Sequence, residues 1–356
     1  MTDLEHILPL WRELEASGLE YVLATVVKVE GSSYRKPGAR MLLAADGRRA
    51  GTVSGGCLEA EVAKKAWWLT EDGPAVRAYS THDDDGELPF GSGCGGVVWI
   101  LLERRGSADA AMRALDEAWK ARVPLTIATV IEGERMGQRA FTRKADDAEL
   151  AALEKFRADL PLWIEERAAR TGLWVFGAGD DAKPLVAMAR MLGWYVAIAD
   201  GRSHLATAGR FAEADAVHVL PAGEMPMRAG DAAVVMTHSF EQDSQILAGL
   251  LSGTVRPAYI GVLGPQRRTR ELLEEVARRL DFVPSERLIE GWLGELYAPT
   301  GLDLSAETPA AIALSIVAEI QKVLTGGTAL PLRQVRGLQS AALKQSEKQK
   351  QILRSA

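Results

Sequence analysis

A chain of 356 residues with 47% hydrophobic side chains is long enough for roughly two or three domains, each with its own core. Its net charge of -6 leaves no basic field to displace the counterions of a nucleic acid, so proteins and small molecules are the expected partners and nucleic acid is not. The opening MTDLEHILPLWRELEAS is acidic and amphipathic, which predicts no membrane span and a cytoplasmic location; in that reducing compartment two cysteines argue against a disulfide framework.

After a helix over residues 4–16, EYVLATVVKVE at 20–30 has the β-branched content of a strand buried in part on both faces. GSSYRKPGAR follows as a tight irregular loop, and ARMLLAADGRRAGTV predicts a hairpin turned at Asp46-Gly47. Leu58, Val62, Ala66 and Leu69 recur at helical spacing, predicting a helix over 56–70 with Cys57 in its first turn. AVRAYS reads as a short strand, HDDDGELPFGSGCGG as a long loop carrying Cys94, and VVWILLE at 97–103 as a buried strand. A helix through Ala111, Met112, Leu115, Ala118 and Trp119 and a strand at PLTIATVIE complete an N-terminal α+β domain over 1–145. The charged stretch after it, with helical spacing at Leu150, Leu153 and Phe156, predicts a helical connector over 146–170.

The second domain, 171–330, alternates strands with helices, which implies a doubly wound parallel sheet of Rossmann type and makes the whole chain α/β. Thr308 is placed to cap the closing helix and Pro309 fits its first turn, while the polar tail over 331–356 has the composition of a disordered segment. Gly177-Ala178-Gly179-Asp180-Asp181-Ala182 matches G-x-G-x-x-G/A between a strand and a helix, and Asp200 ends the next strand where a ribose hydroxyl would be held. Asp180, however, sets a carboxylate beside the helix N-terminus, where it opposes a phosphate and also suits a simple cap. A nucleotide or pterin-phosphate site and a scaffold that no longer binds nucleotide therefore stand side by side. Thr237-His238-Ser239, Gly261 and Gly264 should converge near Gly177 and Asp200, because ligands of open α/β sheets lie beyond the strand carboxyl ends. Arg267 and Arg268 could clamp an anion there; the plainer alternative makes His238 a loop residue and the arginines solvated helix positions.

Both cysteines are framed by glycine. Gly55 and Gly56 precede Cys57, and Gly95 follows Cys94, so a bulky ligand can approach either thiol with little side chain in the way. A thiol at a helix N-terminus is favoured as thiolate, which suits soft metals and sulfur transfer. Arg35, Lys36 and Arg40 add charge for a phosphate, and Ser32 and Ser33 add donors. The alternative reading makes each cysteine a small residue at a crowded turn and the basic loop a solvated connection. A structural zinc site lacks its four ligands, and a cysteine protease lacks a histidine tied to either thiol.

ATVVKVEGSSYRKPGARMLLAADGRRAGTVSGGCLEAEV and GSGCGGVVWILLE in the first domain resemble the XdhC/CoxI family, the xanthine dehydrogenase accessory factors. VFGAGD, VAIADGR, RFAEAD, VVMTHSFEQD, YIGVLGPQRR and PTGLDLSAETPAAIALSIVAEI extend the resemblance through the second domain to about residue 325. The resemblance implies a homodimeric chaperone, more a maturation factor than an enzyme with turnover. It would bind molybdenum cofactor in its molybdopterin form, support sulfuration by a cysteine desulfurase, and hand the cofactor to an apo molybdenum hydroxylase. It also implies that Cys57 and Cys94 contact the cofactor and its molybdenum. The chain departs from the family pattern at Asp180, where histidine is usual, at Thr237-His238-Ser239, where the pattern is THD, and at Tyr297-Ala-Pro-Thr-Gly301-Leu-Asp303, where it is HxPIGLD. Two other classes remain: an NAD(P)-dependent oxidoreductase using Gly177, Gly179 and Asp200, and a noncatalytic docking protein.

Overall fold

In the computed structural model, which describes residues 4–56, 58–80, 96–143, 161–221 and 226–335, the chain divides into two units, Met1–Arg170 and Thr171–Ala356. The β-branched run near the start forms β1 (Tyr21–Glu30), the middle strand of a five-stranded antiparallel sheet. It lies between β2 (Arg40–Ala44) and β5 (Val97–Arg104), with β3 (Arg49–Gly51) and β4 (Ala75–Ser80) at the edges. The β2–β3 hairpin turns where Asp46-Gly47 predicted, with Gly47 at φ 89° and the Arg48 N–H donating to the Asp46 carboxylate.

Alternation along β1 sends its side chains into two cores. Tyr21 and Leu23 pack with α1 (Leu4–Ser17) and α3 (Arg105–Ala121), whereas Val22, Ala24 and Val26 pack with Val62 and Ala66 of α2 (Glu59–Leu69). Burial of both faces explains the nearly unbroken apolar run. The helix predicted over 56–70 is confirmed as α2, beginning at Glu59, so Cys57 precedes it by two positions in the chain.

A second sheet of three antiparallel strands, β7 (Arg139–Thr142), β6 (Leu125–Val130) and β8 (Leu162–Arg167), completes the unit. Here the structure differs from the sequence reading. Residues 162–167 are a strand rather than part of a helical connector, because Leu162–Arg167 finds hydrogen-bond partners along all of β6; a pairing distant in sequence overrides local spacing. The helical reading of 146–160 and the long loop over 81–95 lie outside the described residues, as does the tail from 336.

The second unit holds a parallel sheet in the order β11-β10-β9-β12-β13, as expected for a doubly wound domain. Its strands are β9 (Gly172–Phe176), β10 (Tyr195–Asp200), β11 (Ala216–Val219), β12 (Ala232–Val235) and β13 (Tyr259–Val262). One face is covered by α4 (Ala182–Met191) and α8 (Pro309–Thr325), the other by α5 (Phe240–Ser252), α6 (Gln266–Arg279) and α7 (Glu286–Leu293). Tyr297 continues the sheet beyond β13 through a bridge to Gly261, and Thr308 caps α8 by accepting from the Ala311 N–H.

Candidate functional site

At one end of the first sheet, the segments 31–38 and 52–56 meet the start of β5. Glu30, the last residue of β1, pairs with Val97, the first of β5, so the chain on either side of them is adjacent. Gly96 is pressed against the first loop: an added Cβ would lie 2.3 Å from the Ser32 carbonyl oxygen and 2.8 Å from that of Glu30. No larger residue fits without moving backbone. Tyr34 lies over Gly55, where a Cβ would come within 2.7 Å of the ring, and Arg35 donates to Thr52 Oγ1 while its guanidinium sits 5.9 Å from the Tyr34 ring centre. The 31–38 segment, the 52–56 segment and the entry to β5 thus form one surface, on which Tyr34, Gly55 and Gly56 are exposed.

A residue that the sequence reading passed over organises this surface. The carboxylate of Glu59 accepts N–H groups from Val53 (3.0 Å), Ser54 (2.9 Å), Gly55 (3.1 Å) and Gly56 (2.8 Å), and the Ser54 hydroxyl at 2.6 Å. Gly55 and Gly56 adopt φ of 97° and 128°, which turns successive N–H groups toward one point and forms an anion nest filled by the protein's own carboxylate. Burial pushes the Glu59 carboxyl up, but these donors outweigh it and bring the group down to about 2. The signal was local: two glycines followed within three residues by a glutamate.

The two candidate arginines of this region separate. Arg35 stands in the loop. Arg40 on β2 is 4% exposed, and its guanidinium donates to both oxygens of Glu165 on β8 and to the Gly38 carbonyl. It braces the base of the loop from inside. Cys57, Cys94 and Gly95 lie outside the described residues; of their described neighbours, Gly56 is exposed on this surface, whereas Gly96 is buried beneath the first loop and Leu58 is buried in the core with Val62.

In the second unit the Thr237-His238 part of the predicted convergence is seen, whereas Gly261 packs against Thr300 and Tyr259 and Gly264 against Arg268. Gly177 takes φ 135°, and a Cβ there would lie 2.5 Å from the Met236 carbonyl oxygen, so the turn after β9 rests directly on the end of β12. Asp200 is buried; its carboxylate accepts from the Ala178 N–H at 2.7 Å and, at both oxygens, from the Arg202 side chain. Burial raises the Asp200 carboxyl, and the Arg202 and Ala178 donors lower it below its ordinary range. Arg202 reaches on to the Thr237 carbonyl oxygen at 3.1 Å. His238, with a left-handed backbone at φ 61°, brings Nε2 to 2.8 Å from Asp181 Oδ2. Asp180 is 78% exposed and paired with Lys183 and Arg210. Arg268 is bound to Asp243, which also holds Thr237 Oγ1, whereas Arg267 is 90% exposed and pairs with Glu271 on its own helix.

Among the described residues, no three His, Cys, Asp or Glu side chains are grouped to hold a metal ion, and no helix is long and apolar enough to cross a membrane. Two family models match: the XdhC and CoxI family over residues 14–80 and the XdhC Rossmann domain over 173–320. A Bacillus subtilis protein described as a probable xanthine dehydrogenase component is 32% identical over 325 residues, covering 85% of this chain and 92% of that one. The molybdenum cofactor insertion chaperone PaoD of Escherichia coli is 26% identical, over 90% of this chain and 89% of its own. The crystal structure of a protein described as a xanthine dehydrogenase from Bacillus halodurans superimposes with a TM-score of 0.73 at 28% identity, over 92% of this chain and 97% of that one. With an antiparallel-sheet unit followed by a doubly wound parallel sheet, these matches place the chain in the XdhC/CoxI family.

Proposed function

We propose that this chain is a cytoplasmic maturation factor that takes molybdenum cofactor as cargo, in its molybdopterin form. It holds the cargo while a cysteine desulfurase sulfurates it, and passes it to an apo molybdenum hydroxylase of the xanthine dehydrogenase or aldehyde oxidase type. The cargo site is the loop surface of the first unit: Cys57 and Cys94 as soft sulfur donors to molybdenum, Gly55, Gly56 and Gly95 as the open backbone around them, and Arg35 as the partner of the pterin phosphate. Arg40 supports Arg35's loop rather than touching the cargo. The working form is a homodimer, and the chain carries rather than converts its ligand.

The observation that supports this reading most is the seating of Gly96 on the Ser32 carbonyl oxygen, which brings the strand that follows the Cys94 loop against the loop carrying Arg35. The relative named as a molybdenum cofactor insertion chaperone gives the cargo its chemical identity. Glu59 holds the 53–56 segment in one conformation, so little ordering entropy is left to lose on association.

The test is copurification of molybdopterin, read as the fluorescent oxidised pterin, with wild type, Cys57→Ser, Cys94→Ser and Arg35→Ala. Cofactor content should fall in all three variants. Equal content in wild type and both cysteine variants would end the proposal.

A further inference from the structure

The second unit carries a glycine turn of the kind on which a dinucleotide lies, yet its surroundings do not fit that ligand. In this motif the second glycine is small so that a diphosphate can approach the backbone. Here that space is filled: a Cβ built on Gly179 would lie 2.3 Å from Asp181 Oδ1. The other oxygen of the same carboxylate meets His238 Nε2 at 2.8 Å, so the group is held from the β12 side of the crevice as well as from the turn. A diphosphate at Gly179 would have to share its place with the Asp181 carboxylate.

The remaining dinucleotide contacts are spent within the protein. Asp200, which would hold a ribose hydroxyl, is 0% exposed and its two oxygens are taken by the Ala178 N–H, the Arg202 N–H and the Arg202 guanidinium. Arg202, which follows β10 where a 2′-phosphate would be read, is turned inward onto Asp200 and the Thr237 carbonyl. Turn, acid and arginine form a closed set that links β9, β10 and β12.

We infer that Asp181, held by His238, occupies the diphosphate position, so that this crevice is closed to dinucleotides and the unit serves as a self-liganded scaffold rather than a nicotinamide or nucleotide site. Of the two readings left open by the sequence, this favours the scaffold over a nucleotide site at Gly177, Gly179, Asp200 and His238, and it speaks against the NAD(P)-dependent oxidoreductase reading. It concerns the second unit and stands whatever the first unit carries.

The test is calorimetric titration of the full chain with NAD, NADP, CTP and inorganic pyrophosphate, for wild type and Asp181→Ala, with thermal melts to show that both are folded. Wild type should give no saturable heat with any of the four. Asp181→Ala should bind pyrophosphate at least about tenfold more tightly than wild type, a change of about 1.4 kcal/mol. Saturable binding of NAD, NADP, CTP or pyrophosphate by wild type would overturn the inference. So would a folded Asp181→Ala protein that binds pyrophosphate no better than wild type, because the carboxylate would then not be the barrier.

Discussion

Arg40 on β2 and Glu165 on β8 face each other in a buried two-pronged ion pair, 4% and 7% exposed, that joins the two sheets of the first unit beneath the loop bearing Arg35. Burial alone would push the Glu165 carboxyl up, yet the charges of Arg40 and Arg167 hold it down at about 2. Removing one partner of such a pair leaves an uncompensated charge, which costs about 3–5 kcal/mol, whereas replacing both by apolar side chains is often close to neutral. Glu165→Ala is therefore expected to lower unfolding free energy by about 3 kcal/mol or more, and Arg40→Met with Glu165→Met to recover part of that, since Arg167 still loses its carboxylate partner. Urea unfolding of the single and double variants measures it; equal loss in both would show that packing, not charge, is what the pair provides.

Glu59 gives a pH-dependent expectation. Its carboxyl sits at about 2 in the folded chain against an ordinary 4.5, so the folded state binds its proton more weakly than the unfolded state. The stabilisation is complete above the unfolded value and is lost as the pH falls from about 4.5 toward 2. Glu59→Gln should be less stable than wild type at neutral pH by about 1–2 kcal/mol, and the gap should narrow as the pH drops through this window. A gap unchanged between neutral pH and pH 3 would remove the ionised carboxylate from the account of this loop.

Gly96→Ala is expected to destabilise the first unit by about 1–3 kcal/mol, because the added methyl would enter the Ser32 and Glu30 carbonyl oxygens. Gly106→Ala is its control. Gly106 lies inside α3 with nothing within 4 Å of a built Cβ, so alanine there should be neutral or stabilising by up to about 1 kcal/mol. Thermal melts of both variants separate crowding at one position from a general effect of losing glycine, and a Gly96→Ala protein as stable as wild type would deny the contact between the loops.

Several elements were legible because their signals are local. The Asp46-Gly47 turn, the helical spacing of α2 and the Thr308-Pro309 start of α8 depend on residues within a few positions of one another, and each is found where expected. The glycine turn after β9 was readable for the same reason, and so was its approach to β12, since strand order in a doubly wound sheet brings those ends together. Glu59 could have been found, because all its donors lie three to six positions away.

From the sequence alone came the two-domain α/β plan, the motif loops and the family resemblance, each of which rests on periodicity and turn chemistry that act over short stretches of chain. Tertiary structure alone decided that residues 162–167 form a strand, that Arg40 faces Glu165 across 125 positions, and that Asp181 and His238 meet over Gly179. The reason is physical: whether a charged side chain is free to hold a ligand depends on which distant group reaches it first, and burial makes that pairing obligatory.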